Sequence, residues 1–289
     1  MAKILVGTSG WVYPSWRSRF YPEKLKQREI LTFMSRQFPS LEVNSTFYSL
    51  QRPETFQRWY EETPPRFVFA LKGSRFISHN KKLRDARGPL ANYFASGILR
   101  LGEKLGPIVW QLPATAKFDA DRLIEFFELL PKDTTSAAAL AREHDHRVEG
   151  RSWTECAVQR RIRYGLEARH ESFFVPELVQ LLRKYRVALV VSDAATWPMV
   201  EEVTARFVYV RLHGTTRTYA SQYNVEQIAQ WANKIRSWHA GGQPKGARRA
   251  SKLALPPGKT RDVYVYFDND YEANAPWDAQ RLMEKLGAM

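Results

Sequence analysis

Apolar and polar positions along the chain fall into two recurring rhythms. In about eight short segments every second residue is apolar, and between most of them apolar residues return at helical spacing. The alternating segments are Ile4–Ser9, Leu41–Tyr48, Arg66–Gly73, Pro107–Leu112, Tyr164–His170, Ala188–Asp193, Arg206–His213 and Asp262–Asp268. Helix start signals stand between them. Pro53 opens 53–62, Asp119 precedes 123–130, Pro176 opens 176–185 and Asn224 precedes 225–238, with sets such as Ile228, Trp231 and Ile235 marking the packed stripe. Strands that alternate with helices in this way predict a parallel sheet, and eight of them predict a single TIM-type (β/α)8 barrel spanning residues 1–289.

Strands covered by helices are enclosed on both faces, so a polar residue on a strand points into something closed. In Arg206–His213 the residues Val208, Val210 and Leu212 share one face while Tyr209, Arg211 and His213 share the other. The same split recurs. Glu42 and Asn44 oppose Leu41 and Val43; Lys72 lies with Val68 and Ala70; Gln111 lies with Val109. Glu167 and Arg169 oppose Leu166 and Ala168, and Tyr264, Tyr266 and Asp268 oppose Val263, Val265 and Phe267. Asp193 alone shares the parity of apolar neighbours, Leu189 and Val191. In a barrel the interior turns polar at the C-terminal ends of the strands, where ligands bind, so these side chains are expected at one mouth. Burying unpaired ions costs several kcal/mol each, which leaves two explanations: a mutually satisfied ion network, or a site.

Two long insertions break the rhythm. Residues 142–163 contain His144-Asp-His146, a ligand-type pair without a further fixed partner, and residues 241–261 are rich in Gly, Pro, Lys and Arg. The second is expected to be a lid, an electrostatic arm or a plain flexible loop. Composition adds one unusual feature. The 44 Lys and Arg exceed the 30 Asp and Glu by 14 charges, a balance suited to nucleic acid or anionic ligands. The single cysteine excludes an internal disulfide framework and fits a reducing, cytoplasmic setting, as does a start that runs directly into a strand. No apolar run reaches membrane-spanning length. Nothing in the pattern fixes the oligomeric state.

The first loop, Ser9 to Trp16, brings Trp11 and Tyr13 toward the same mouth, where aromatic faces beside charges suit flat polar ligands. The leading expectation is an enzyme for a small polar or anionic substrate, sugar-like or phosphate-like. Glu167, His213, Asp193 and Asp268 are its acid/base candidates, and Glu42, Asn44, Lys72, Gln111, Arg169, Arg211, Trp11, Tyr13 and Tyr266 its substrate contacts. A divalent metal on Glu42, Glu167, Asp193, Asp268 and His213 is a variant of that reading, with no confident ligand set; no cofactor is assigned. Nucleic-acid binding or processing is the alternative, followed by a ligand-binding barrel without catalysis. Glycine-rich phosphate loops, nucleotide fingerprints and nucleophile elbows are absent from the sequence.

Seven ordered motifs resemble the YecE-like family, domain of unknown function 72, over nearly the whole chain. They are Gly7-Thr-Ser-Gly-Trp11, Phe20-Tyr-Pro22, Glu42-Val-Asn-Ser-Thr-Phe-Tyr48, Leu105-Gly-Pro107 with Gln111-Leu-Pro113, Glu167-Ala-Arg-His170, Val210-Arg-Leu-His-Gly214 and Tyr264-Val-Tyr-Phe-Asp-Asn-Asp270. The resemblance implies a TIM-type barrel with a common site and carries no established reaction. Residues 142–163 and 241–261 are longer than the family pattern, and Phe173 stands where Trp is common.

Overall fold

The computed structural model describes residues 2–287. Its strands are β1 (Ile4–Thr8), β2 (Ser40–Val43), β3 (Val68–Lys72), β4 (Leu105–Gln111), β5 (Tyr164–Glu167), β6 (Val187–Asp193), β7 (Phe207–Leu212) and β8 (Asp262–Phe267). All pair in parallel, in the order β1-β8-β7-β6-β5-β4-β3-β2. A parallel bridge between Ser9 and Glu42 closes the ring at its C-terminal end. At Gly7 the first two strands approach so closely that a Cβ would run into the Ser40 carbonyl. The fold is the expected (β/α)8 barrel.

Around it lie α1 (Ile30–Gln37), α2 (Ser45–Tyr48), α3 (Pro53–Glu61), α4 (Arg87–Ala95), α5 (Ala120–Leu129), α6 (Thr134–Ala141), α7 (Pro176–Tyr185), α8 (Val225–His239) and α9 (Asn274–Leu286). Their starts follow local chemistry. Asp119 and Asn224 accept hydrogen bonds from the first-turn N–H groups of Arg122 and Gln227, and prolines occupy the first turns of α3 and α7. No helix is long and apolar enough to cross a membrane among the described residues.

The strand expected over Leu41–Tyr48 stops at Val43, and Ser45–Tyr48 is a helical turn. Thr46 drives this change: its hydroxyl donates to the carbonyls of Val43 and, across the barrel wall, Lys72, fixing the chain against β3 instead of extending it.

A second departure is the connection from β6 to β7, which has no helix among the described residues. Residues from 241–261 pack there. Glu202, fully enclosed, accepts from Arg249 at 2.7 Å, from Arg183 at 3.3 Å, and from the N–H groups of Ala250 and Ser251 at 3.1 Å each. Thr204 ties the same stretch to the start of β6 through Val187 and Leu189. These contacts lie at the N-terminal end of the barrel, so the segment is not a lid over the mouth.

Inside the barrel, Leu5, Phe207, Tyr264, Tyr209, Tyr266, Ala70, Val109, Ala188 and Val190 form a filled core distinct from the helix-facing one. The Tyr266 hydroxyl lies 2.6 Å from Ser40 Oγ within that filling. The interior is therefore a plug with its chemistry on top.

Candidate functional site

Above the tyrosine layer residues at or just past the ends of β1, β2, β5, β7 and β8 form one network around Arg211. The guanidinium, 0% exposed, donates to Glu42 from Nε at 3.1 Å and Nη2 at 2.8 Å, to Glu167 from Nη1 at 2.7 Å, to Asp268 from Nη2 at 2.9 Å, and to Ser9 Oγ at 3.0 Å. Tyr209 donates from below to Glu42 at 2.5 Å, and Ser9 donates to the same carboxylate. His213 places Nδ1 2.9 Å from Asp268 and Nε2 3.5 Å from Glu167. Gly214, at φ +99°, turns the chain immediately after it, its N–H held by Tyr223.

Arg169 is the outer partner of this cluster. It donates to Glu167 from Nε at 2.8 Å, reaches Tyr219 at 3.3 Å, and lies over the Trp197 ring at 4.0 Å. Trp197 and Tyr219 also enclose His213 edge-on, and Trp197 donates to Ser192. His213 is thereby sealed from the mouth.

Lys72 is different. It is 7% exposed, and its ammonium has no hydrogen-bond or ion-pair partner among the described residues; its neighbour is the Phe47 ring at 4.4 Å. The His79 ring meets the same phenyl group edge-on at 5.2 Å. His79 sits in a π-helical turn, Phe76–Asn80, and the loop continues through Lys82, Leu83 and Asp85 at φ 51°, 68° and 45°. Such turns and left-handed non-glycine residues concentrate at functional sites.

The charges tune one another. Burial would raise the Glu167 carboxyl, but Arg169 and Arg211 reverse this and hold it well below the usual range. Asp268 is likewise kept ionised, burial being outweighed by Arg211 and His213. Arg211 rises well above its ordinary value because Glu42, Glu167 and Asp268 outweigh its burial. Around the rim the values shift in favour of the uncharged forms. Burial, followed by repulsion from Arg211, lowers the Lys72 amine to about 8. Burial, then Asp268, raises Asp270 to about 6. Burial and the cations Arg75, Arg169 and Lys72 lower His79.

Of the residues singled out from sequence, Glu42, Glu167, Arg169, Arg211, His213 and Asp268 are brought together, with Lys72 buried at the end of β3 and Gln111 beside Glu167 in register. Asn44 accepts from Ser9, and Tyr13 donates to the Ser9 carbonyl. Three lie apart. Asp193 follows its apolar parity outward and accepts from Tyr223 at 3.1 Å; Ser192 takes the inward place. Tyr266 is within the plug. Trp11 packs on Trp59 and Phe69 and lines a side groove of about 820 Å³ with Tyr13, Asn44 and the exposed Tyr48. A second hollow of about 290 Å³ lies between Leu112, Phe118 and Phe173. Sequence reasoning missed Ser9, His79, Trp197, Tyr219 and Asp270. His79, Trp197, Tyr219 and Asp270 stand beyond strand ends, where parity gives no guide.

The metal variant does not fit this arrangement. The Arg211 guanidinium fills the space among Glu42, Glu167 and Asp268 that a cation would occupy, and Asp193 faces α8. No group of three or more ligating side chains is disposed to hold a metal ion among the described residues. His144-Asp-His146 serves as a turn, with Asp145 accepting from the Arg147 N–H.

The family model described as a protein of unknown function, DUF72, matches residues 5–289. The chain belongs to the DUF72 family. The UPF0759 protein YecE of Escherichia coli is 28% identical over 172 residues, 59% of this chain and 50% of that protein, so the chain aligns with half of that relative's length. The UPF0759 protein YunF of Bacillus subtilis is 32% identical over 79 residues, 27% of each chain. A DUF72 structure from Thermotoga maritima superimposes with a TM-score of 0.73 at 22% identity, covering 99% of both chains. One from Enterococcus faecalis gives 0.70 at 15% identity, covering 98% of this chain and 95% of its own. At those identities the DUF72 structures establish the fold alone.

Proposed function

We propose that this DUF72 barrel is an enzyme acting on a small polar substrate that carries an anionic group, bound at the C-terminal mouth. One observation carries this reading: Lys72 is a largely buried lysine whose amine, facing the mouth, makes no direct hydrogen bond or ion pair among the described residues, on top of a network in which Arg211 is fully paired with the nearby carboxylates. Holding a lysine largely out of water with no direct partner costs stability, so its presence points to a ligand that supplies one. Arg169 supplies a second cation, preset by Glu167 and by stacking on Trp197. Asp270, raised toward neutrality, and His79, whose lowered value keeps it an uncharged base at neutral pH, are the groups suited to proton transfer. Glu42, Glu167 and His213 act as positioning residues: all three are fully buried, His213 behind Trp197 and Tyr219, Glu167 behind Arg169, and Glu42 among Ser9, Tyr209 and Arg211.

Thermal denaturation against small carboxylates and phosphates tests this reading. Members of one chemical group should raise Tm in the wild type and lose that effect in Lys72→Met and Arg169→Ala. Equal stabilisation of both variants contradicts it.

The nucleic-acid reading has its own support in the +14 charge and in the side groove, where Tyr48, 67% exposed, stands beside Arg28 and Arg58. Steeply salt-dependent binding of single-stranded oligonucleotides, weakened by Tyr48→Ala, would favour it over the small-substrate enzyme. A ligand that binds the mouth and is never converted would leave a barrel without catalysis.

A further inference from the structure

Lys72 ends β3 with its Nζ turned into the mouth, where it has neither a carboxylate nor a carbonyl within hydrogen-bonding distance among the described residues. The amine rests on the Phe47 face at 4.4 Å, which excludes water from one side. Phe47 is itself fixed by the turn that Thr46 anchors to the Lys72 carbonyl, and Tyr93 donates to that same carbonyl at 3.0 Å. The lysine backbone is therefore held twice while its amine is left free. A structural lysine shows the reverse: Lys104, equally buried at 3% exposure, donates to Thr63 O at 2.7 Å, to Thr63 Oγ1 at 3.1 Å and to the Tyr60 carbonyl.

We propose that Lys72 is a nucleophile that condenses with the carbonyl group of a small aldehyde or ketone bearing an anionic group, forming an imine in the barrel mouth. The proposal rests on the small-anion reading above and specifies its substrate class. Arg169, already fixed, holds the anionic group together with the Lys72 ammonium on entry and keeps it in place once the Lys72 amine is deprotonated for attack. Desolvation and a neighbouring cation are the conditions that activate lysine toward carbonyls; burial, with Arg211 nearby, supplies both here and outweighs the opposing pull of Asp268, Glu42 and Glu167. The step balances without a co-reactant. The amine nitrogen bonds the carbonyl carbon, the C=O π electrons pass to oxygen, and the carbinolamine loses that oxygen as water. Of the three ammonium protons two leave in the water and one remains on the iminium nitrogen. His79, edge-on to the same Phe47 ring, is the side chain suited to carry protons between the two stages.

The test uses the full chain with pyruvate, glyoxylate or dihydroxyacetone phosphate in the presence of sodium cyanoborohydride, followed by peptide mass spectrometry. A reduced adduct is expected on Lys72, forming about tenfold or more faster than on the exposed Lys24 and Lys245, and absent from Lys72→Arg. Site mapping in the wild type gives the answer even if that variant does not fold. Inorganic phosphate and succinate, which cannot form imines, report the underlying reading separately by thermal stabilisation. Stabilisation by these anions with no preference for Lys72 in any carbonyl reaction overturns the imine and leaves the small-anion site standing. No stabilisation by anions or by the carbonyl probes removes the small-anion reading and the imine with it.

Discussion

At the N-terminal end of the barrel Glu202 collects two arginines and two backbone N–H groups, and at the C-terminal end Arg211 collects three carboxylates, yet only the second cluster has beside it a lysine whose amine makes no direct hydrogen bond or ion pair among the described residues. Glu202 stands where a barrel helix would lie and pins residues 249–251 to the β6–β7 connection; each charged side chain in it has a direct hydrogen-bonded partner. The mouth uses the same residue types to build a rigid base, then places Lys72 above it without a partner. Burial and ion pairing therefore do not distinguish staple from site. The unpaired member does.

The comparison is sharpened most by Arg211→Met. It leaves Glu42, Glu167 and Asp268 buried without their common cation, and should cost about 3–5 kcal/mol in denaturant unfolding. A loss below about 1 kcal/mol would mean that the base of the mouth is not an integrated network.

Lys72→Met should behave oppositely, with equal or greater stability than the wild type near pH 7 because an unpaired charge is removed from a buried place. The wild type then supplies the pH dependence. Lys72 has a folded value of about 8, below the ordinary 10.5, so between those values the folded chain binds fewer protons than the unfolded one. Its stability relative to Lys72→Met should rise by up to about 3 kcal/mol as pH climbs from about 8 to 10.5. A flat difference would indicate that the amine has a partner in solution.

Glu202→Gln should cost about 2 kcal/mol, with no effect on the anions that stabilise the wild type. Loss of that stabilisation would couple the two ends of the barrel. The smallest effect belongs to Lys245, Arg248 and Lys252, exposed on the N-terminal-end segment. Replacing all three with Ala should change stability by less than about 0.5 kcal/mol and leave small-anion binding intact, while weakening any salt-sensitive oligonucleotide binding.

The barrel and the inner face of its mouth were legible because side-chain parity in a strand is a two-state property. Once the helix-facing set is known, Glu42, Lys72, Glu167, Arg211 and Asp268 have only one direction to point. Parity also placed Asp193 outward, and the structure follows the parity over the residue type. Depth was not legible: Tyr266 shares a face with Asp268 but sits one layer lower, bonded to Ser40 in the plug. Position beyond the strand ends was not legible either, so Asp270, His79, Trp197 and Tyr219 came only from tertiary contacts. The Leu41–Tyr48 run was misread because Ser, Thr, Phe and Tyr suit a strand, whereas the Thr46 hydroxyl bonds to two carbonyls and turns the chain.

A free amine on Lys72 is what separates a ligand site from a purely structural cluster. Titration of lysine side chains labelled with carbon-13 at Cε, followed by NMR and assigned by the resonance missing from Lys72→Met, measures this directly. The predicted result is a Lys72 signal titrating near pH 8 and shifting when a stabilising anion is added. A Lys72 signal that titrates with the exposed lysines above pH 10 and is unmoved by every anion tested would contradict the account at its base.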